Sequence, residues 1–224
     1  KSNKKLGVLG VNVGPNKDSN DRMNDYLIGL EKFSEVADYI TINISSPNTE
    51  NLRNFHDEEK LDKLIFSIEN EKKKLNLTIP VVVKISPDLD DGQIEKISSI
   101  LLKYEIKAVI ISNTTEKNRD VLKNEQKIQK GGLSGKPLEI TSNQMINKFY
   151  RLLKNKIKII GVGGVDSGKS AYQKFSVGAD YIQLYTGMVY QGPNIVNKIK
   201  KELKEILLIE GVKNFREIIG HKSN

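Results

Sequence analysis

The sequence predicts a parallel α/β fold of the barrel type, and three observations point to it. Short Val/Ile-rich runs alternate with amphipathic helical patterns along the chain, the order of a parallel sheet covered by helices. Several runs are apolar throughout, as strands are when both faces are buried. A polar residue or glycine follows almost every run: Asn12, Ser46, Lys84, Asn113, Gly163 and Thr186. In a barrel these positions converge on one mouth, whereas in an open sheet they spread along an edge.

Taken in order, strands are expected at 7–12, 38–44, 80–85, 108–112, 158–162 and 181–184. Helices between them carry apolar stripes at three- and four-residue spacing. Leu61, Leu64, Ile65 and Ile68 form one stripe, and Ile94, Ile97, Ile100 and Leu101 another. Met145, Ile146, Phe149 and Leu153 form a third, and Ile195, Ile199, Leu203 and Ile206 the last. All four read as core contacts. This makes about six βα units, whereas a closed (β/α)8 TIM barrel needs eight. A doubly wound open sheet is the alternative. The polar strand ends favour the TIM barrel, with its last six units within residues 1–224 as one domain. The abrupt start, Lys1-Ser-Asn-Lys-Lys5 running into a strand, supports an N-terminal truncation that leaves out the first two strands.

Composition narrows the chemistry. With no cysteine, disulfides, thiolate metal sites and cysteine nucleophiles are excluded. His56 and His221 are far apart, which argues against a metal centre or a Ser-His relay. The net charge of +8 comes from lysines mixed with acidic residues, as in Asp57-Glu-Glu-Lys-Leu-Asp-Lys63. No basic stretch carries interleaved aromatics, so nucleic acid is not an expected partner. No apolar run approaches the ~20 residues that span a bilayer, and the start shows no signal-peptide pattern.

The glycine string Gly161-Val-Gly-Gly164 follows a strand and precedes a helix expected from about Ser167. Glycine after a strand can simply make a tight turn. On the penultimate strand of a barrel, with Tyr185-Thr-Gly187 after the last, it also suits phosphate binding by backbone N–H groups. Lys84 ends the apolar strand Val81-Val-Val-Lys-Ile85, where a lysine either snorkels from the rim or meets an anion. Asn12, Asn43, Asn48 and Asn113 exceed what turns need, and neutral amides suit a planar ligand rich in carbonyl and N–H groups. Gly131-Gly-Leu-Ser-Gly-Lys-Pro137 precedes a helix expected from about Thr141, and is either simply flexible or lets backbone approach a ligand closely.

Together these strings resemble the class 2, quinone-dependent dihydroorotate dehydrogenases. The most specific is Asn43-Ile-Ser-Ser-Pro-Asn-Thr49 followed by Leu52-Arg53. Joined to it in order are Gly10-Val-Asn-Val-Gly14, Val83-Lys-Ile-Ser-Pro-Asp-Leu89 and Ser112-Asn-Thr-Thr115. Gly131-Gly-Leu-Ser-Gly-Lys-Pro-Leu138, Gly161-Val-Gly-Gly-Val165 and Gln183-Leu-Tyr-Thr186 complete the set, which runs from about Leu6 to Gly220.

The resemblance implies an FMN enzyme that oxidises dihydroorotate to orotate in pyrimidine synthesis and passes electrons to a membrane quinone. It implies FMN contacts from Asn12, Asn43, Lys84, Ser112, Gly135, Gly164, Tyr185 and Thr186. Of these, Gly164, Tyr185 and Thr186 hold the phosphate, and Lys84 lies near the flavin N1/O2 edge. Asn43, Asn48, Asn113 and Thr114 bind the pyrimidine and its carboxylate. Ser46 is the base that removes the C5 proton, with Thr49 as its proton relay, and no metal takes part. Family membership further implies a peripheral protein on the cytoplasmic face of the bacterial inner membrane, or alternatively at the mitochondrial inner membrane. The anchoring and quinone-site helices would precede this sequence. Asn51 departs from the family's glycine before Leu-Arg, and asparagine tolerates the positive φ that such a turn requires. Another phosphate-binding barrel enzyme is the alternative reading, and an inactive fragment a third if the chain is complete.

Overall fold

A computed structural model describes residues 7–104, 106–117 and 119–223. Six parallel strands form one sheet in chain order: β1 (Gly10–Val13), β2 (Tyr39–Asn43), β3 (Val81–Ile85), β4 (Ala108–Ile111), β5 (Lys158–Val162) and β6 (Tyr181–Gln183). The helices are α1 (Arg22–Phe33), α2 (Glu58–Lys74), α3 (Asp91–Lys103), α4 (Glu139–Leu153), α5 (Gly168–Ser176), α6 (Thr186–Gln191) and α7 (Ile195–Ile209). Each strand pairs with the next in sequence, which gives the βαβ succession expected of barrels rather than the reversal of a doubly wound sheet.

The sheet is curled. Gln183 Nε2 on β6 donates to Tyr39 OH on β2 at 3.3 Å, although β2 and β6 stand four strand spacings apart in the sheet. In a flat sheet four spacings make about 19 Å, further than these two side chains reach together. The architecture is therefore a half-barrel.

Alternation along each strand divides residues between two faces. Ile40 and Ile42, Val81, Val83 and Ile85, Val109 and Ile111, and Ile159 face the helices and join one large core. The first three helical stripes are buried there as expected, together with Tyr26 and Leu30 of α1. Each such fully buried Leu or Ile contributes roughly 1.5–3 kcal/mol through removal from water. On α7, Ile195 and Ile199 are buried while Leu203 and Ile206 are only partly covered. The inward face carries a small cluster of Val82, Ala108 and Ile110, flanked by Tyr39, Ile160 and Val162.

Two boundaries differ from expectation by more than one residue. β1 begins at Gly10 rather than at residue 7, because the Leu9 N–H is taken by the Asp38 carboxylate (2.8 Å) instead of a neighbouring strand. α4 begins at Glu139, two residues before Thr141, because a 3-10 turn over Lys136–Leu138 runs straight into it. Helices α3 and α5 start with capping boxes, Asp90 with Gln93 and Ser167 with Ser170, which satisfy orphan N–H groups at the first turn. Exposed apolar side chains gather near the two outer strands: Val8 and Leu9 before β1, and Tyr181, Tyr185 and Tyr190 on and after β6. No helix among the described residues is long and apolar enough to cross a membrane.

Candidate active site at the mouth of the half-barrel

The inward positions of the strands open into a cavity of about 420 Å³ lined by Asn12, Tyr39, Thr41, Asn43, Ser46, Lys84, Asn113 and Gln183, among others. A second cavity, of about 900 Å³, lies against the loops after β4, β5 and β6 and shares Lys84 and Asn113 with the first. Its wall includes Ser112, Thr114, Gly135, Gly164, Tyr185 and Thr186. Eleven of the thirteen residues expected at the site thus meet at one mouth. Asn48 and Thr49 line neither cavity, and Asn48 is exposed.

Lys84 sits at the junction of the two cavities. It points inward because Val83 and Ile85 on either side must face the helix layer. Burial pushes its ammonium pKa down. Among the described residues it has neither an ion-pair nor a hydrogen-bond partner. A half-buried, unpaired cation is costly, and an anionic or electron-rich ligand group would relieve that cost.

Beside it runs a chain of neutral hydrogen bonds. Ser45 Oγ donates to Asn43 Oδ1 at 2.7 Å and accepts from Asn113 Nδ2 at 2.9 Å. Asn113 Oδ1 in turn accepts the Thr114 N–H at 2.8 Å. Both amide oxygens are engaged, which fixes the orientation of each amide and leaves donor N–H groups for a ligand. Ser46 Oγ accepts the Asn48 N–H at 3.2 Å, in an ST-turn. No hydrogen bond joins Ser46 to Thr49 directly among the described residues. The turn after it survives as expected, with Asn51 at φ 58 in the left-handed region.

The glycine loops close the other side. Gly163 and Gly164 have φ of 115 and 76, and a Cβ at Gly164 would lie 2.7 Å from Glu139 Cα. The Gly131–Pro137 loop comes against Thr186: a Cβ at Gly135 would be 2.9 Å from Thr186 Cγ2, and Thr186 Oγ1 donates to Ser134 Oγ at 2.9 Å. Tyr185 is 79% exposed. Lys136 is held by Glu139 (2.6 Å) and Asp166 (3.5 Å), and that pairing raises its pKa.

Several site residues escaped the sequence reading. Ser45 was hidden because only the fold brings it to Asn113, 68 positions away. Tyr39, Thr41 and Gln183 were legible in principle, since period-two alternation with Asn43 and Tyr181 puts them on the inward face. A separate groove of about 760 Å³, lined by Glu139, Asn143, Arg151, Gln173 and Lys222 among others, lies on α4 and α5 and includes none of the expected residues. No cluster of three or more His, Asp or Glu residues able to hold a metal occurs among the described residues.

Fold and site together define a class: a parallel α/β half-barrel whose polar strand ends and glycine loops meet at a single mouth. Comparisons with known proteins place it more closely. The model of the dihydroorotate dehydrogenase family matches residues 1–207, and the chain belongs to that family. It is 40% identical over 222 residues to the dihydroorotate dehydrogenase (quinone) of Bartonella tribocorum, covering 97% of this chain and 62% of that one. It is 42% identical over 219 residues to the mitochondrial dihydroorotate dehydrogenase (quinone) of Arabidopsis thaliana, covering 96% of this chain and 48% of that one. A crystal structure of the Eimeria tenella enzyme in complex with ferulenol superimposes with a TM-score of 0.93 at 32% identity, over 99% of this chain and 64% of that one. The chain therefore spans less than two thirds of the length of these relatives.

Proposed function

We propose that the protein oxidises dihydroorotate to orotate with FMN as its bound cofactor and a membrane quinone as the final electron acceptor. The observation that carries this reading is half-buried Lys84, unpaired among the described residues, at the junction of two cavities, one walled by amides and the other by positive-φ glycines. The residues present fit FMN. Gly163 and Gly164 line the larger cavity with positive-φ backbone beside Thr186, and no side chain fits there because a Cβ at either would run into Leu138 or Glu139. Asn12, Asn43, Lys84, Ser112, Gly135, Gly164, Tyr185 and Thr186 would hold the cofactor, with the phosphate at Gly164, Tyr185 and Thr186.

When bound, FMN supplies the acceptor for the hydride leaving C6 of dihydroorotate. Ser46 Oγ takes the C5 proton as it passes its own hydroxyl proton onward, and the Asn48 N–H that already points to this oxygen stabilises its partial negative charge during the exchange. A relay to Thr49 needs an intervening water or a movement of the loop. Asn43, Asn113 and Thr114 bind the pyrimidine through their amide and hydroxyl groups, and Asn48 joins them only if the loop from Ser46 to Glu50 shifts. Lys84 stabilises negative charge on its ligand. The curl of the sheet and the greater length of the relatives support reading these six strands as part of a (β/α)8 barrel. The quinone-dependent names of the relatives support a peripheral location at the bacterial inner membrane or its mitochondrial counterpart.

The test is optical. The purified protein should be yellow and should bleach when dihydroorotate is added without oxygen. A folded protein that is colourless and takes up no FMN would sink the assignment.

A further inference from the structure

Outside both cavities, one guanidinium gathers the loops that follow three consecutive strands. Arg53 enters a 3-10 turn just after left-handed Asn51. Its Nε donates to the Ser45 carbonyl at 3.3 Å, in the loop after β2. Nη1 donates to Asp88 Oδ2 at 2.9 Å in the loop after β3, and to Glu116 Oε2 at 3.0 Å. Nη2 donates to the Thr114 carbonyl at 3.0 Å in the loop after β4. Asp88 extends the network, accepting from Thr115 Oγ1 and from the Glu116 N–H.

A second tie runs through the same turn. His56 Nε2 accepts the buried Ser86 N–H at 3.2 Å, so its proton sits on Nδ1, which donates to the Arg53 carbonyl at 2.9 Å. The acceptors held by Arg53 stand next to the groups of interest. The Ser45 carbonyl is bonded directly to the nitrogen of Ser46, and Thr114 follows Asn113. Neither Arg53 nor Asp88 lines a cavity.

We infer that Arg53 and Asp88 form a positioning pair that sets the distance between the proton-accepting Ser46 and the substrate-binding Asn113–Thr114 segment. This rests on the function proposed above. The pair acts through the loops, without touching substrate or cofactor. Its geometry requires a planar fork with donors spread over three directions, which a lysine ammonium does not reproduce. Glu116 is 56% exposed and adds little, because a solvated partner is worth little.

The test compares the unaltered protein with Arg53→Lys, Arg53→Gln, Asp88→Asn and, as a control, Glu116→Gln. Bound flavin should persist in all of them, since the glycine loops and Lys84 are untouched. In the Arg53 and Asp88 variants, flavin reduction at saturating dihydroorotate should slow by about tenfold or more, and orotate binding should weaken by a similar factor, as loop misplacement implies. Arg53→Lys should fail like Arg53→Gln, and the control should stay within about twofold. A second readout is amide hydrogen exchange, which should accelerate at residues 45–49 and 113–115 but not in α7. The proposal is overturned if folded Arg53→Gln and Asp88→Asn keep the unaltered reduction rate and orotate affinity. If the unaltered protein is not reduced by dihydroorotate, the proposed function fails instead. Hydrogen exchange then decides the bracing role by itself, and unchanged exchange in the three loops overturns it.

Discussion

Replacing Lys174 by methionine should change how stability depends on pH, and the structure sets both the sign and the size. Lys174 on α5 has no exposed surface. Its ammonium donates to Ser142 Oγ at 3.0 Å and to Asn143 Oδ1 at 2.9 Å, and its stem lies against Gly161. Burial pushes its pKa down from 10.5 to about 7, against the attraction of nearby Glu139. In the unfolded chain the amine keeps its proton up to 10.5, so between pH 7 and 10.5 the unfolded state binds more protons than the folded one. The contribution of Lys174 to stability therefore rises with pH through that window and is flat on either side. At about 1.4 kcal/mol per pKa unit the full rise is about 5 kcal/mol, and about 3 kcal/mol of it falls between pH 7 and 9.5.

Lys174→Met removes the titrating group at similar volume, so the stability difference between the two proteins isolates it from every other group. Urea unfolding of both at half-unit intervals of pH measures that difference. A difference that stays constant within about 0.5 kcal/mol from pH 7 to 9.5 would refute the claim that a desolvated amine sits here.

Three further outcomes follow from the same coordinates. Ser46→Ala should leave FMN bound but slow its reduction by dihydroorotate by at least about a hundredfold in anaerobic stopped flow; unchanged kinetics would remove Ser46 from the base role. Gly164→Ala places a Cβ against the Glu139 backbone at a φ of 76, so it should abolish FMN retention on gel filtration, whereas a variant that stays yellow would show that the loop is not the cradle. His56, buried and neutral, has its pKa lowered from 6.5 to about 4, so its contribution to stability is full above 6.5 and falls by about 3 kcal/mol as the pH drops to 4. Urea titrations of the protein and His56→Gln should converge over that window, and parallel curves would contradict it.

Much of the site was legible before any coordinates. Asn12, Asn43 and Lys84 occupy inward positions of strands whose helix-facing residues are apolar, and glycines of both strings fall where positive φ is needed. The turn at Asn51 was also legible, because asparagine is among the few residues that adopt that backbone readily. Other readings failed for local reasons. β1 starts three residues late because a side-chain carboxylate takes a ladder donor, and no hydrophobic pattern encodes that competition. α4 starts two residues early because the 3-10 turn over Lys136–Leu138 runs straight into it.

Taken alone, the sequence determined the order of strands and helices, the face on which each side chain lies and the types of group brought to the mouth. These depend on periodicities of 2 and 3.6 residues and on the preferences of glycine and asparagine, all of which act over a few residues. Only the tertiary structure decided which groups touch: Ser45 between Asn43 and Asn113, Arg53 between the loops after three strands, Lys174 closed in behind the glycine loop. The long-range contacts among them join positions 31 to 68 apart, and their partners are fixed by which strands lie side by side in a curled sheet. Hydrogen-bond reach is about 3 Å, so a shift of a single residue in strand register would break each of them without changing any local pattern.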